Sequence, residues 1–123
     1  MYNILLYEKK QGNFPCQDFL DSLNPKNKAK AFRSIDLLEE NGPHLFEPYI
    51  KHIESGLYEL RIKHGSDIIR IFYFYGDSNT IILTNGFMKK AQKTPKSEIN
   101  LARKYKKEYE RRLVNEKIQQ LQR

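Results

Sequence analysis

Arg70 stands in the middle of an otherwise apolar run, Ile68 to Tyr75 (IIRIFYFY), where a charge is costly unless it is paired or serves a ligand. Its companion is Arg61, on the polar side of an alternating run in which Tyr58, Leu60 and Ile62 interleave with Glu59, Arg61 and Lys63. The turn His64-Gly65-Ser66-Asp67 makes the two runs neighbouring antiparallel strands, about 4.8 Å apart, so residues near the same level converge. Two guanidiniums brought together repel each other. An anion between them, phosphate for example, reconciles them, because arginine offers a planar fork of donors. The structural alternative is a core-edge ion pair in which Glu59 or another carboxylate neutralises Arg61 or Arg70. Lys89 and Lys90 follow the last strand, just before a terminal helix whose free N–H groups and dipole also favour anions. Taken alone, they read as a solvated basic turn. His64 could act as a general base, but a lone histidine in a turn reads more simply as a turn residue.

Other chemistries lack their residues. There is no GxxxxGK[ST], no GxGxxG and no HExxH. The carboxylates are dispersed, with no cluster suited to catalytic magnesium. Cys16 and the three scattered histidines (His44, His52, His64) are too few for a zinc site and form no Cys-His or Ser-His-Asp arrangement. No cofactor is expected. The single cysteine fits a reducing cytoplasm. No apolar run approaches the roughly 18 residues of a membrane span, and Met1 to Tyr7 shows no signal-peptide pattern. The expected location is therefore cytoplasmic, with no membrane partner.

The net charge of +7 is unevenly spread. Residues 1–87 hold 10 Lys/Arg and 11 Asp/Glu, whereas residues 88–123 hold 12 Lys/Arg and 4 Asp/Glu. The whole excess lies in the last third, a one-sided field that attracts polyanions. A solvated helix face that keeps the protein soluble would have the same composition.

The elements that must position these residues follow from periodicity. Tyr2 to Tyr7 reads as a first strand. Asn13 before Phe14-Pro15 and Asn24 before Pro25 start two short helices. Ala31, Phe32, Ile35 and Leu38 mark the apolar side of the second, which ends at Asn41-Gly42-Pro43. Past a proline-containing loop, His44 to Tyr49, come three strands in an antiparallel meander, the last spanning Thr80 to Phe87. Thr94-Pro95 opens a long helix with Ile99, Ala102, Tyr105, Tyr109 and Leu113 on one side and mostly cations elsewhere. The expected class is α+β: strand, helical hairpin, three strands, long helix, with the helices on one face of a small, mostly antiparallel sheet. Residues 1–112 are expected to form the domain, and residues 113–123 a helical extension of it.

Four segments in order resemble the HigB-like toxins of the RelE superfamily, including phage-borne versions. They are Gly56 to Ile62 (GLYELRI), Ile69 to Phe74 (IRIFYF), Asn85 to Lys90 (NGFMKK) and Thr94 to Ala102 (TPKSEINLA). The likeness covers approximately residues 2–112. It implies a RelE-like fold and a toxin of a type II toxin–antitoxin pair that cleaves messenger RNA, generally at the ribosomal A site. The family's basic cleft residues carry over to Arg61, to Arg70 and to Lys89 or Lys90, ambiguous by one residue; Gln92 and Lys93 carry no weight. The chemistry suits these residue types. RNA supplies its own nucleophile, the 2′-OH, so no metal-bound water is required, and a 2′,3′-cyclic phosphate and a 5′-OH result. Preplaced cations stabilise the charge gained by the phosphoryl oxygens. Arg70 is expected to clamp the scissile phosphate, Arg61 to support the developing charge, and Lys89 and Lys90 to bind the backbone or protonate the leaving oxygen. Glu59 either accepts the 2′-OH proton or orients Arg61. Arg103, Lys106 and Lys107 on the long helix are expected to bind RNA and ribosome in a salt-dependent way.

The resemblance also implies a HigA-like helix-turn-helix antitoxin and a hetero-oligomer with it. Two alternatives stand beside this: a catalytically inactive RNA- or ribosome-binding module, and a DNA-binding regulator. The second is disfavoured by Asp36, Glu39 and Glu40 on the hairpin's second helix, a poor surface for a major groove.

Overall fold

The computed structural model describes residues 1–90 and 93–122. Gln92, and Arg123 at the end of the expected extension, lie outside the described residues. The elements are β1 (Asn3–Leu6), α1 (Pro15–Ser22), α2 (Pro25–Asn41), a short 3-10 turn (Gly42–His44), β2 (Ile50–Glu54), β3 (Leu57–His64), β4 (Asp67–Tyr75), β5 (Thr80–Met88) and α3 (Lys96–Leu121). They build one mixed five-stranded sheet in the order β1-β5-β4-β3-β2, with β1 parallel to β5 and every other pairing antiparallel.

The α+β class, the helical hairpin, the meander and the long terminal helix stand as expected from the sequence. Two expectations need correction. The sheet has a fifth strand, β2, in a segment to which the sequence pattern assigns no element. Its residues, Ile-Lys-His-Ile-Glu, lack clean alternation because β2 is an edge strand with an irregularity between His52 and Glu54, a common edge device. The helices also cover both faces of the sheet rather than one. On one face α1 and α2 pack Cys16, Leu20, Ala31, Ile35 and Leu38 against Leu60, Ile62, Ile69, Ile71 and Tyr73. On the other, α3 packs Tyr105 against Tyr7, Phe74 and Ile82, and Ala102 against Leu57 and Phe72. The cause lies in β4. A strand apolar on both sides leaves half its residues wet unless both faces are roofed.

Local chemistry sets the helix positions. Asn24 caps α2 by accepting the N–H of Asn27 at 2.8 Å. Asn27 is itself buried; it donates to Asp67 at 2.9 Å and meets His64 Nδ1 at 2.8 Å, tying the start of α2 to the β3–β4 turn. Phe32 is 43% exposed despite its helical spacing, since Ala31, Ile35 and Leu38 alone fill the stripe that meets the sheet. Gly86 admits α1 to β5: a Cβ there would sit 2.3 Å from the Phe19 ring. Among the described residues no helix is long and apolar enough to cross a membrane.

Candidate functional site

The register of β3 and β4 places Arg61 directly opposite Arg70 and Glu59 opposite Phe72. Side chains of facing residues lie on the same side of a sheet, so both arginines and Glu59 share the face roofed by α3. Glu59 is 1% exposed. One of its oxygens meets Arg70 Nε at 3.1 Å and Arg61 Nε at 3.7 Å; the other accepts the Thr94 hydroxyl at 2.9 Å. Both readings of the arginines are therefore partly met: they converge, and one buried carboxylate lies between them. A single negative charge shared by two guanidiniums leaves the group net positive. Neither Nε–H has an aligned acceptor among the described residues, so these contacts are charge contacts with poor hydrogen-bond geometry. Arg70 Nη1 donates to Ile69 O at 3.1 Å. Burial holds the Arg70 pKa below its ordinary value, with Glu59 opposing and Arg61 adding to the shift.

Lys89 follows β5, and its N–H bonds to Ile68 O at 2.8 Å, which extends the β4–β5 pairing one step and sets the lysine beside Arg70. Burial pushes its pKa down, helped by Arg70, Arg61 and Lys51 and opposed by Glu59. A hollow of about 320 Å³ is lined by Lys51, His52, Glu59, Arg61, Lys89, Lys93 and Thr94, with Ile53 and Ile99 beside them. Arg61, Arg70, Glu59 and Lys89 thus come together. Lys90 is exposed and does not line the hollow, so of the two lysines the geometry brings in Lys89.

Four residues of the hollow were missed or discounted in the sequence. Lys51 stands opposite Glu59 across β2 and β3, and its signal was hidden with that of the strand. His52 borders the hollow from the same edge, but its ring lies against Tyr58, on the opposite face of the sheet. Thr94 reads as a helix start, yet its hydroxyl is spent on Glu59, and α3 begins without a side-chain cap. Lys93, given no weight, lines the hollow too.

The cations of α3 are not brought to this group. Arg103 is held by Glu54 of β2, with Nε donating at 2.8 Å. Lys106 pairs with Glu110 at 3.3 Å, and Lys107 is exposed. The three line a separate hollow of about 180 Å³ beside Glu54 and Ser55. His64 is engaged by Asn27 at the far end of β3.

Chemically, the hollow can hold an anion and stabilise one that gains charge. Among the described residues no group of three or more His, Cys, Asp or Glu side chains could hold a metal ion. Comparison with known families matches residues 18–107 to the family described as "Phage derived protein Gp49-like (DUF891)". A search of curated proteins finds no match.

Proposed function

This chain belongs to the phage-derived Gp49-like family, a RelE-like family associated with toxin–antitoxin pairs, and on that premise we propose that it is a HigB-type toxin that cleaves messenger RNA on the ribosome without a metal ion. What carries the proposal is the direct register of Arg61 with Arg70 over one shared, buried carboxylate. Positive charge of that kind, desolvated and preplaced, is what an in-line phosphoryl displacement needs.

In the proposed reaction the 2′-oxygen bonds to phosphorus and the P–O5′ bond breaks, giving a 2′,3′-cyclic phosphate and a 5′-hydroxyl. Arg70 and Arg61 bind the non-bridging oxygens as their charge grows. Lys89 lies close enough to the same group to be influenced by both arginines; it gives its proton to the leaving 5′-oxygen. Glu59 orients the arginines: it is buried, and both its oxygens are already engaged. His52 turns its ring to the opposite face of the sheet, against Tyr58, so the 2′-OH proton passes to solvent in the open hollow. Restraint of such an activity calls for a partner, and a helix-turn-helix antitoxin in a hetero-oligomer fits the family association.

The test is purified protein added to translating ribosomes in the presence of a chelator. Cuts ending in cyclic phosphate and beginning with 5′-OH, absent with Arg70→Ala, are expected. Intact RNA with retained ribosome binding would instead identify a binding module.

A further inference from the structure

Beside the hollow lies a larger groove of about 710 Å³, which shares Arg61 with it and also takes in Arg70, a residue that does not line the hollow. β2 accompanies β3 only as far as Leu60, and the last contact is the Arg61 N–H donating to Tyr49 O at 2.8 Å. Beyond it, no strand among the described residues pairs with Ile62 to His64 on that side. The groove runs over this bare edge, from Lys30 and Arg33 on α2 to Arg61, Lys63 and Arg70. No carboxylate lines the groove, although Arg61 and Arg70 share Glu59 behind it. Tyr49, 47% exposed, and Pro48 form its outer wall. Arg61 lines both the groove and the hollow. Arg70, whose side chain is 7% exposed, has its Nε without an aligned acceptor and is the innermost cation of the groove.

We infer that this groove is a second RNA subsite, which holds the single-stranded nucleotides on one side of the scissile phosphate and leads them to Arg61 and Arg70. This deepens the ribonuclease proposal and rests on it. A chain bound by its phosphates at Arg61 must leave the hollow, and the groove is the adjoining exit lined by positive charge. A track of cations beside an exposed aromatic face is how proteins hold single strands without reading their sequence. An acidic segment of a protein partner would find the same charges but would make no particular use of Tyr49. Nothing here selects a base, so recognition runs through phosphates and stacking.

The test uses full-length protein and a 2′-O-methyl RNA octamer, which cannot be cleaved, with affinity read by fluorescence anisotropy over a range of salt. Wild type is compared with Lys30→Glu/Arg33→Glu and with Tyr49→Ala, all three checked for equal melting. The double variant is expected to weaken octamer binding by more than tenfold and to reduce the salt slope by about two, one per phosphate lost. Tyr49→Ala should cost roughly tenfold with the slope kept, as loss of one stacked base does. Trinucleotide binding should change far less in either variant. Octamer affinity and slope equal to wild type in both would overturn the subsite. So would a glutamate-rich peptide of matched charge that displaces the octamer as well as unlabelled RNA does. The two proposals fail separately: unaltered cleavage on ribosomes with unaltered octamer binding removes the groove and keeps the nuclease. Loss of octamer binding in the variants, with no cleavage by wild type, removes the nuclease and keeps the groove.

Discussion

The face shared by β3 and β4 and the outer surface of α3 are both rich in cations, but the two regions hold their charge differently. On the sheet, Arg61 and Arg70 divide one carboxylate, and Lys89 lies close by. On α3, four of the eight cations are held one to one, Arg103 by Glu54, Lys106 by Glu110, Arg112 by Glu108 and Lys117 by Asp77. The sequence puts 12 of the 22 basic residues after position 87, eight of them within α3, so by count the helix is the polyanion-binding region. By geometry the sheet concentrates its unmatched charge, three cations around one carboxylate, and it is the part removed from water. Attraction at short range scales with charge left unmatched and with desolvation, so the sheet is where chemistry is expected and the helix where approach is assisted.

The strongest way to break this comparison is Arg70→Ala. The cleavage rate on ribosomes is expected to fall on the order of 10²-fold, as when a preorganised electrostatic contact is removed. The single helix replacement Lys107→Ala should lower it by much less. Equal losses from the two variants would show that the sheet is not special. Next in size is Glu59→Gln, which keeps the shape and can still accept from Thr94 but removes the charge between the arginines. If Glu59 orients them, the rate should drop about tenfold, a barrier change near 1.4 kcal/mol. A drop as deep as that of Arg70→Ala would make Glu59 the base. The same variant should melt lower than wild type in a buffer free of multivalent anions, and added phosphate should restore more of its Tm than it adds to wild type, because the anion then binds the folded state preferentially.

Lys89 offers a pH test of the same region. Its pKa is held below the ordinary lysine value, chiefly by burial and then by Arg70. A group so shifted is protonated below its folded pKa and loses its proton, as pH rises, earlier than a free lysine. If its proton goes to the leaving oxygen, activity should fall on an alkaline limb below the usual lysine range. Lys89→Arg, which stays charged, should lower the plateau and abolish that limb. A limb unchanged in Lys89→Arg would assign it to another group.

Much of the site could be read from the chain before any coordinates, for local reasons. A two-residue turn leaves the register of β3 and β4 little freedom, so the pairing of Arg61 with Arg70 follows from where the turn lies. The contributions from far along the chain could not be read. Lys51 reaches Glu59 only because an unpatterned edge segment becomes β2, and Thr94 reaches it across 35 residues. Nor does Glu54 announce Arg103, 49 residues on, although Lys106–Glu110 and Glu108–Arg112 have the spacing that pairs on any helix. The second layer of helix was implied by β4, which has apolar residues on both sides. The charge of α3 obscured it, because a helix so basic reads as a surface element even where Ala102 and Tyr105 are buried.

The smallest expected effect separates two cations on one helix. Arg103 holds Glu54 and so pins α3 to the sheet edge at β2, whereas Lys107, one turn on, is exposed. Lys107→Ala should leave the melting temperature unchanged and reduce the salt slope of RNA binding by about one. Arg103→Ala should do the reverse: a small loss of Tm that shrinks as salt screens the pair in wild type, with the slope kept. The expectation follows from what each charge already does in the free protein. A cation with a carboxylate in place must give it up before it can take a phosphate, so it adds little to net attraction. A solvated one releases only counterions from the RNA. Identical slopes and identical melting in the two variants would mean that ion pairing does not sort the helix charges, and that the contrast with the sheet comes from burial alone.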